Sequence, residues 1–372
     1  MRVNFTKGII LILFFVSLVS IFRSLTLIIF STAPDFGVLW TGARDLTRGN
    51  NPYINPTLFT GIGYPPNSLL FYLPLSLLPY QLAQVLFTFL SLGSLLGIIL
   101  ISFKILKEKL SWQTFLVVFS LTFLSFPTKF TLGMGQNNLI AFFLLLLAYF
   151  FYKEGKVGRA GIILGLAISL KTIFAIFVLF FVLKKQWKIV GFAILVIAAT
   201  VGITSIFSDI NLYGYYLREV VPPLFNLSGR EIYYNQGIMG FIAKLTNDLY
   251  VRRYLSLAGS FGLFYLLFKF RKTKNINLYF SMFIVALLLI DTLSWQHHFV
   301  WLIFPFVVVA YYATKLKKYW VWFLIGLAYI LISWNFKNPE PFYIFPKSLI
   351  LSNTFYGAII LYLLNICLLR RK

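Results

Sequence analysis

Acid is what this sequence has least of. Its 372 residues carry 10 Asp and Glu against 33 Lys and Arg, and charged residues of both signs make up only 12%. The single cysteine, Cys367, excludes an intramolecular disulfide framework. The two histidines, His297 and His298, are adjacent. Neighbouring side chains on a helix diverge by ~100°, and no third imidazole or thiol completes a site, so we expect no bound metal and no cofactor. Tandem repeats and low-complexity tracts are also missing. With 60% hydrophobic residues and a mean hydropathy of +0.85, the chain reads as an all-α polytopic membrane protein, one domain over residues 1–372. The net charge of +23 does not make it a nucleic-acid binder. The cations sit in short clusters between apolar segments, as topology signals do, and form no single patch.

The run from Gly8 to Phe30 is too long for a cleaved signal and reads as a first spanning helix. Later runs fall near 81–103, 111–127, 137–152, 188–207, 252–270, 276–293, 296–313, 319–335 and 350–369. Ser68–Leu78 is too short to cross and is expected along the interface. Gly158–Leu183 is read as two half-helices broken at Lys171-Thr172, returning to the face they left. Only that reading gathers Lys104, Lys107, Lys153, Lys156, Arg159, Lys184, Lys185, Lys188, Arg271, Lys272, Lys315, Lys317 and Arg370-Arg371-Lys372 on one, cytoplasmic side. About twelve membrane helices follow, with both termini inside and two long external loops, Ser31–Tyr80 and Ser208–Arg253.

On that topology the unusual polar residues share the external face. They are Asp35 after the first helix, Gly135-Gln136-Asn137-Asn138, Lys171 at the hairpin tip, Asn235-Gln236, and Asp291 through His298. Singly each has a plainer reading: Asp35 as a helix cap or a partner of Arg44, Gly135-Gln136-Asn137 as a turn. Together they suit chemistry on an anionic, lipid-linked substrate. A carboxylate can deprotonate an attacking hydroxyl. Lysine and imidazolium can stabilise charge on a phosphate leaving group. Asn and Gln can bind sugar hydroxyls through donors and acceptors.

At these residues the sequence resembles the family 87 glycosyltransferases, polytopic GT-C-type enzymes using polyprenyl-phosphate mannose. The likeness runs through Asp35-Phe36 with Ala43, Gly49, Pro52 and Tyr53, then Tyr64-Pro65-Pro66 with Pro74, Leu75 and Pro79. It continues through Gly135-Gln136-Asn137-Asn138, Ala160-Gly161 to Gly165-Leu166-Ala167 with Lys171, Asn235-Gln236, and Ser294-Trp295 with His297-His298. Two departures are Ile173-Phe174 where the family often has Pro after the lysine, and Gly237 where it often has Ser. The resemblance implies a GT-C-type fold in the cell membrane and an inverting, metal-independent transfer of a hexosyl group, most naturally mannosyl. It makes Asp35 the general base and places Lys171, His297, His298 and Arg44 at the donor phosphate. It places Gln136, Asn137, Asn138, Asn235, Gln236, Tyr64 and Trp295 at sugar or acceptor. The implied partners are a polyprenyl-phosphate sugar donor, a glycolipid or glycan acceptor, and membrane lipids.

The competing reading is a lipid or sugar transporter or flippase using the broken hairpin around Lys171. Against it, no paired repeats are detectable, and the polar groups gather on one face, whereas a carrier needs access from both.

Overall fold

Hydrocarbon offers a backbone no hydrogen-bond partners, so an apolar run crossing it closes its bonds internally as a helix. The computed structural model describes residues 2–54, 61–225, 229–316 and 318–370, with side chains from Lys7 onward. Among the described residues there is no strand, only an isolated antiparallel bridge between Asn235 and Trp295. Parts of the two long loops (55–60 and 226–228) lie outside the described residues, as do Lys317 and the terminal Arg371-Lys372.

The main helices are α1 Arg2–Phe30, α2 Pro34–Thr47, α3 Tyr80–Leu106, α4 Trp112–Leu124, α5 Phe126–Met134, α6 Asn138–Lys153 and α7 Val157–Leu170. They continue with α8 Ile176–Leu183, α9 Trp187–Phe207, α10 Leu249–Lys269, α11 Ile276–Ile290, α12 Ile303–Leu316, α13 Tyr319–Ser333 and α14 Asn353–Arg370. Five helical stretches are long and apolar enough to cross a membrane: α1, α3, α9 and those ending in α12 and α14. A sixth arises if α4 and α5, bent by 62°, count as one. Five more, α6, α7, α11, α13 and Thr172–Leu183, are apolar but only 10–17 residues long. Helix α10 has the length, yet Arg252, Arg253 and Lys269 interrupt its apolar character. The protein is a multi-pass membrane protein.

The chain packs as two compact units, residues 1–123 with 129–224, and 124–128 with 225–372. In the first, α7 and α9 lie against each other in parallel. A Cβ on Gly161 would stand 2.5 Å from Phe192 Cβ, and one on Gly165 would stand 2.6 Å from Val196 Cβ. One turn on, Ser169 and Thr200 share a hydrogen bond at 2.9 Å. Steps of four on α7 are matched by steps of four on α9, both rising. Small residues along α7 let the backbones approach this closely.

Between them the chain turns back. Lys171 is extended (φ −144°, ψ 95°), and the segment after it packs in parallel with α6. Phe174 meets Phe142, Phe180 meets Tyr149, and Phe181 meets Tyr152. The break at Lys171 is thus a reversal, and α9 sets out from the end at which α7 began. Half-depth turns survive where protein surrounds the backbone. Part of that cover is the segment expected along the interface. Pro66–Tyr72 is instead a 3-10 turn with Asn67, Ser68 and Leu69 buried. Ser68 Oγ donates to Ser169 O at 2.7 Å, and Asn67 Nδ2 to Thr200 Oγ1 at 3.3 Å, so polar contacts draw it inward.

In the second unit, α11 is the core. Every residue from Asn277 to Leu289 is buried, with α10, α12 and α14 around it. A helix apolar on all sides is buried on all sides.

Candidate active site

Asp35 is held by the turn that joins α1 to α2. Ala33 N donates to Gln84 Oε1 at 2.8 Å, and Gln84 Nε2 donates back to Ile28 O (2.6 Å) and Ser31 O (2.8 Å). Tyr80 Oη caps Ala33 O at 3.1 Å. Pro34 opens α2, and Asp35 follows in its first turn, where unpaired N–H groups and the helix dipole favour a carboxylate. Phe36 anchors the turn from below, fully buried against Phe87 at 4.9 Å.

The Gly-Gln-Asn turn reaches this point because of Gly135. Its φ is +68°, and a Cβ there would lie 2.6 Å from Phe36 Cβ and 2.8 Å from Ala33 Cβ. Only glycine fits both constraints. The next residue, Gln136, donates from Nε2 to Asp35 Oδ2 at 2.5 Å. Gln136 Oε1 accepts from Tyr64 Oη at 3.2 Å, and Tyr64 Oη accepts from Lys171 Nζ at 2.9 Å. Lysine only donates, so the Tyr64 proton passes to Gln136, the nearer of its two acceptors. The Gln136 amide nitrogen must then face Asp35. The chain Lys171, Tyr64, Gln136, Asp35 has one direction, ending on the carboxylate. Asn137 braces its start, accepting from Lys171 Nζ at 3.3 Å and donating to Leu170 O at 3.3 Å.

These contacts pull against burial. Desolvation raises the Asp35 carboxyl above the ordinary carboxylate range, while the Gln136 donor and the Lys171 charge oppose the rise. Burial, and Asp35 nearby, push the Tyr64 hydroxyl well up, so it stays protonated.

Other expected members lie elsewhere. Arg44 is nine positions along α2, roughly 13 Å down the axis, with its guanidinium over Trp40 at 4.7 Å. Asp45 is buried near the same far end of α2. Asn138 is buried beneath the turn, its Nδ2 on Thr131 Oγ1 at 3.3 Å.

The second unit holds a cluster of its own. Asn235 and Gln236 are fully buried, and their amides are taken up by backbone. Asn235 Nδ2 donates to Arg230 O and Thr292 O, and its Oδ1 accepts from Ser294 N. Gln236 Nε2 donates to Tyr233 O and Leu351 O, and its Oε1 accepts from Phe355 N. They staple loops together. His297 and His298 are nearly buried, edge to face at 4.6 Å, with Trp295 and Trp301 parallel on either side. His298 Nδ1 stands 3.8 Å from Asp291 Oδ2.

Two residues escaped the sequence reading. Gln84 shows only as one of two amides, with Gln81, at the start of an apolar run, a placement that is costly unless paired. Lys244 Nζ donates to Asn235 O at 3.0 Å and Gly240 O at 3.3 Å, and burial pushes it down to about 7 against the pull of Glu231.

Fold and site together define a multi-pass helical membrane protein with a preorganised, charge-bearing polar site in its first unit. Residues 62–294 match Glycosyltransferase family 87, and the chain belongs to that family. The matched stretch holds Tyr64, Gln136, Asn137, Asn138, Lys171, Asn235 and Gln236. Asp35 and Arg44 precede it, and Trp295, His297 and His298 follow it.

Among curated proteins, the chain is 23% identical over 245 residues to a polyprenol-phosphate-mannose-dependent alpha-(1-2)-phosphatidylinositol pentamannoside mannosyltransferase of Mycobacterium tuberculosis (strain CDC 1551 / Oshkosh). That alignment covers 64% of this chain and 56% of the relative. The same-named protein of Mycolicibacterium smegmatis is 22% identical over 64% of this chain and 58% of its own length. A polyprenol-phosphate-mannose-dependent alpha-(1-2)-phosphatidylinositol mannoside mannosyltransferase of Mycobacterium tuberculosis (strain ATCC 25618 / H37Rv) is 24% identical, covering 81% of this chain and 75% of itself. The chain thus spans little over half the length of the first two. No solved structure matches it.

Proposed function

We propose that this protein transfers a mannosyl or similar hexosyl group from a polyprenyl-phosphate sugar to a hydroxyl of a glycolipid or glycan acceptor. The observation that carries the reading is the convergence of Asp35, Tyr64, Gln136, Asn137 and Lys171 from four separate stretches. Asp35 takes the proton of the acceptor hydroxyl. The freed oxygen attacks the anomeric carbon opposite the phosphate, the carbon–phosphate-oxygen bond breaks, and the configuration inverts. The polyprenyl phosphate leaves with its new charge met by the Lys171 ammonium. Gln136 and Tyr64 keep Asp35 ionised and aimed, and the Asn137 amide meets sugar hydroxyls. No metal enters this scheme. In the second unit, His297 and His298 with Asp291 are suited to an anionic headgroup.

The accompanying topology has about twelve membrane segments in a GT-C-type arrangement. It puts both termini in the cytoplasm and Asp35 at the external face of the cell membrane. The charge partition and the reversal at Lys171 support this arrangement.

The test is incubation of purified protein with radiolabelled polyprenyl-phosphate mannose and native lipid extract, with and without EDTA. Label should pass into a glycolipid in both arms. Asp35→Asn should bind donor yet transfer ~10²–10⁴-fold more slowly, the range for loss of a general base. Near-normal transfer by a folded Asp35→Asn protein would sink the mechanism.

A further inference from the structure

Tyr72 closes the 3-10 turn Pro66–Tyr72 that Asn67 and Ser68 draw inward, and it is only 1% exposed. Its ring lies against Phe36 and Phe87, with centroids 6.3 Å and 5.7 Å away. Those apolar contacts fix the ring, while the hydroxyl sits in polar company. Tyr64, Asn137 and Asp35 all bear on its proton. Burial, and Tyr64 nearby, keep that hydroxyl well above its ordinary range, so it stays protonated. Of the three neighbours, Asn137 is the one placed as a hydrogen-bond partner, short of a closed bond. Tyr72 Oη makes no hydrogen bond at all. A buried hydroxyl left idle costs stability, so its retention calls for a use.

The use lies with Asn137. That residue is fully buried, and its Oδ1 accepts from Lys171 Nζ at 3.3 Å, a longer contact than the 2.9 Å from Nζ to Tyr64 Oη. Tyr64 Oη stands 3.5 Å from the same Asn137 oxygen. Its single proton goes to Gln136, however, and turning it away would break the chain that ends on Asp35. In the proposed reaction the Lys171 ammonium meets the charge developing on the leaving phosphate, and the longer of its two contacts is the one to give way. Asn137 Oδ1 is then a buried acceptor without a donor, a loss that offsets part of the gain at the phosphate. Tyr72 can supply the donor. Its proton is unspent, and reaching Asn137 takes a rotation about the C–O bond with a small adjustment of the amide.

We infer that Tyr72 is a positioning residue that takes over Asn137 as Lys171 turns to the leaving phosphate, so that the lysine moves without stranding a buried acceptor. The inference rests on the transferase reading and adds a residue that acts on the reaction through Asn137 and Lys171. Its test uses full-length protein in nanodiscs as wild type, Tyr72→Phe, Lys171→Met and the double variant. Lys171→Leu replaces Lys171→Met if that protein does not fold. With the lysine in place the Tyr72 hydroxyl is idle, so Tyr72→Phe should leave the melting temperature unchanged or raise it. Without the lysine, Tyr72 is the donor that remains for Asn137, and the same change should lower the melting temperature by a few degrees. Equal shifts in both backgrounds overturn the inference. Single-turnover transfer from polyprenyl-phosphate mannose to native lipid extract should be roughly ten- to a hundredfold slower in Tyr72→Phe, the order for one stranded buried acceptor. A wild-type rate in folded Tyr72→Phe also overturns it. Should wild type transfer nothing, the transferase reading fails instead. The melting comparison needs no activity and still decides, by unequal or equal shifts, whether Tyr72 and Lys171 share Asn137.

Discussion

The amide of Gln136 stands between Asp35 and Tyr64, donating to the carboxylate at 2.5 Å and accepting from the hydroxyl at 3.2 Å. It cannot flip without breaking both contacts. Gln136 therefore orients Asp35 and, through Tyr64, couples it to the ammonium of Lys171.

A pH dependence follows from that coupling. In the proposed mechanism Asp35 works ionised, and burial raises its pKa, so activity should fall as pH drops through a value above the ordinary 3.8. Gln136→Leu removes a donor that opposes the rise. Its acid limb in kcat/KM should move further up the pH scale, and Gln136→Glu should move it more by adding like charge. A limb unmoved in Gln136→Leu would show that the amide does not tune the base.

Lys171 supplies the positive end of the chain. Lys171→Met should lower kcat by roughly 10²–10³, the ~3–4 kcal/mol typical of one transition-state charge contact. Tyr64→Phe breaks only the link and should cost less. Comparable kcat for Lys171→Met and wild type in a single-turnover assay would make the lysine structural.

Gly135→Ala should be damaging out of proportion to its size. One methyl meets Phe36 and Ala33 inside contact distance, in a left-handed conformation that costs roughly 1–2 kcal/mol for an L-residue. We expect a lower melting temperature and a larger loss of transfer, since Gln136 moves with the turn. A variant with wild-type melting and transfer would contradict the packing described.

The reversal at Lys171 makes a topological prediction. In a Cys367→Ser background, Glu154→Cys and Gln186→Cys should be labelled by an impermeant reagent from the same side of sealed vesicles. Labelling from opposite sides would refute the parallel packing of α7 and α9.

Much of this was legible in the chain because charge is so sparse. With few acids to confuse the pattern, the cation clusters alone indicate that 158–183 turns back, and the packing of Phe174, Phe180 and Phe181 agrees. Asp35, Tyr64, Gln136 and Lys171 stand out as polar groups in apolar company. Their pairings do not, because hydrogen-bond partners come from stretches tens of residues apart. Gln136, expected on sugar, sits on Asp35. Asn235 and Gln236 carry the residue types of a sugar site but spend their amides on backbone. The segment 68–78 looked interfacial from its length; Pro74 and Leu77 are indeed exposed, but its start is buried by polar contacts of Asn67 and Ser68 to Thr200 and Ser169 that leave no mark in hydropathy.

The seam of small residues between α7 and α9 also bears on how the protein is made. Thr172–Leu183 reaches only about 18 Å at 1.5 Å per residue, well short of a ~30 Å hydrocarbon layer. A ribosome delivering that segment alone would leave Lys171 and its open backbone facing lipid. The half-helices become tolerable only once α9 has closed over Gly161 and Gly165. Residues 157–207 should therefore leave the insertion machinery as a package, with Lys171 enclosed only when α9 is in place.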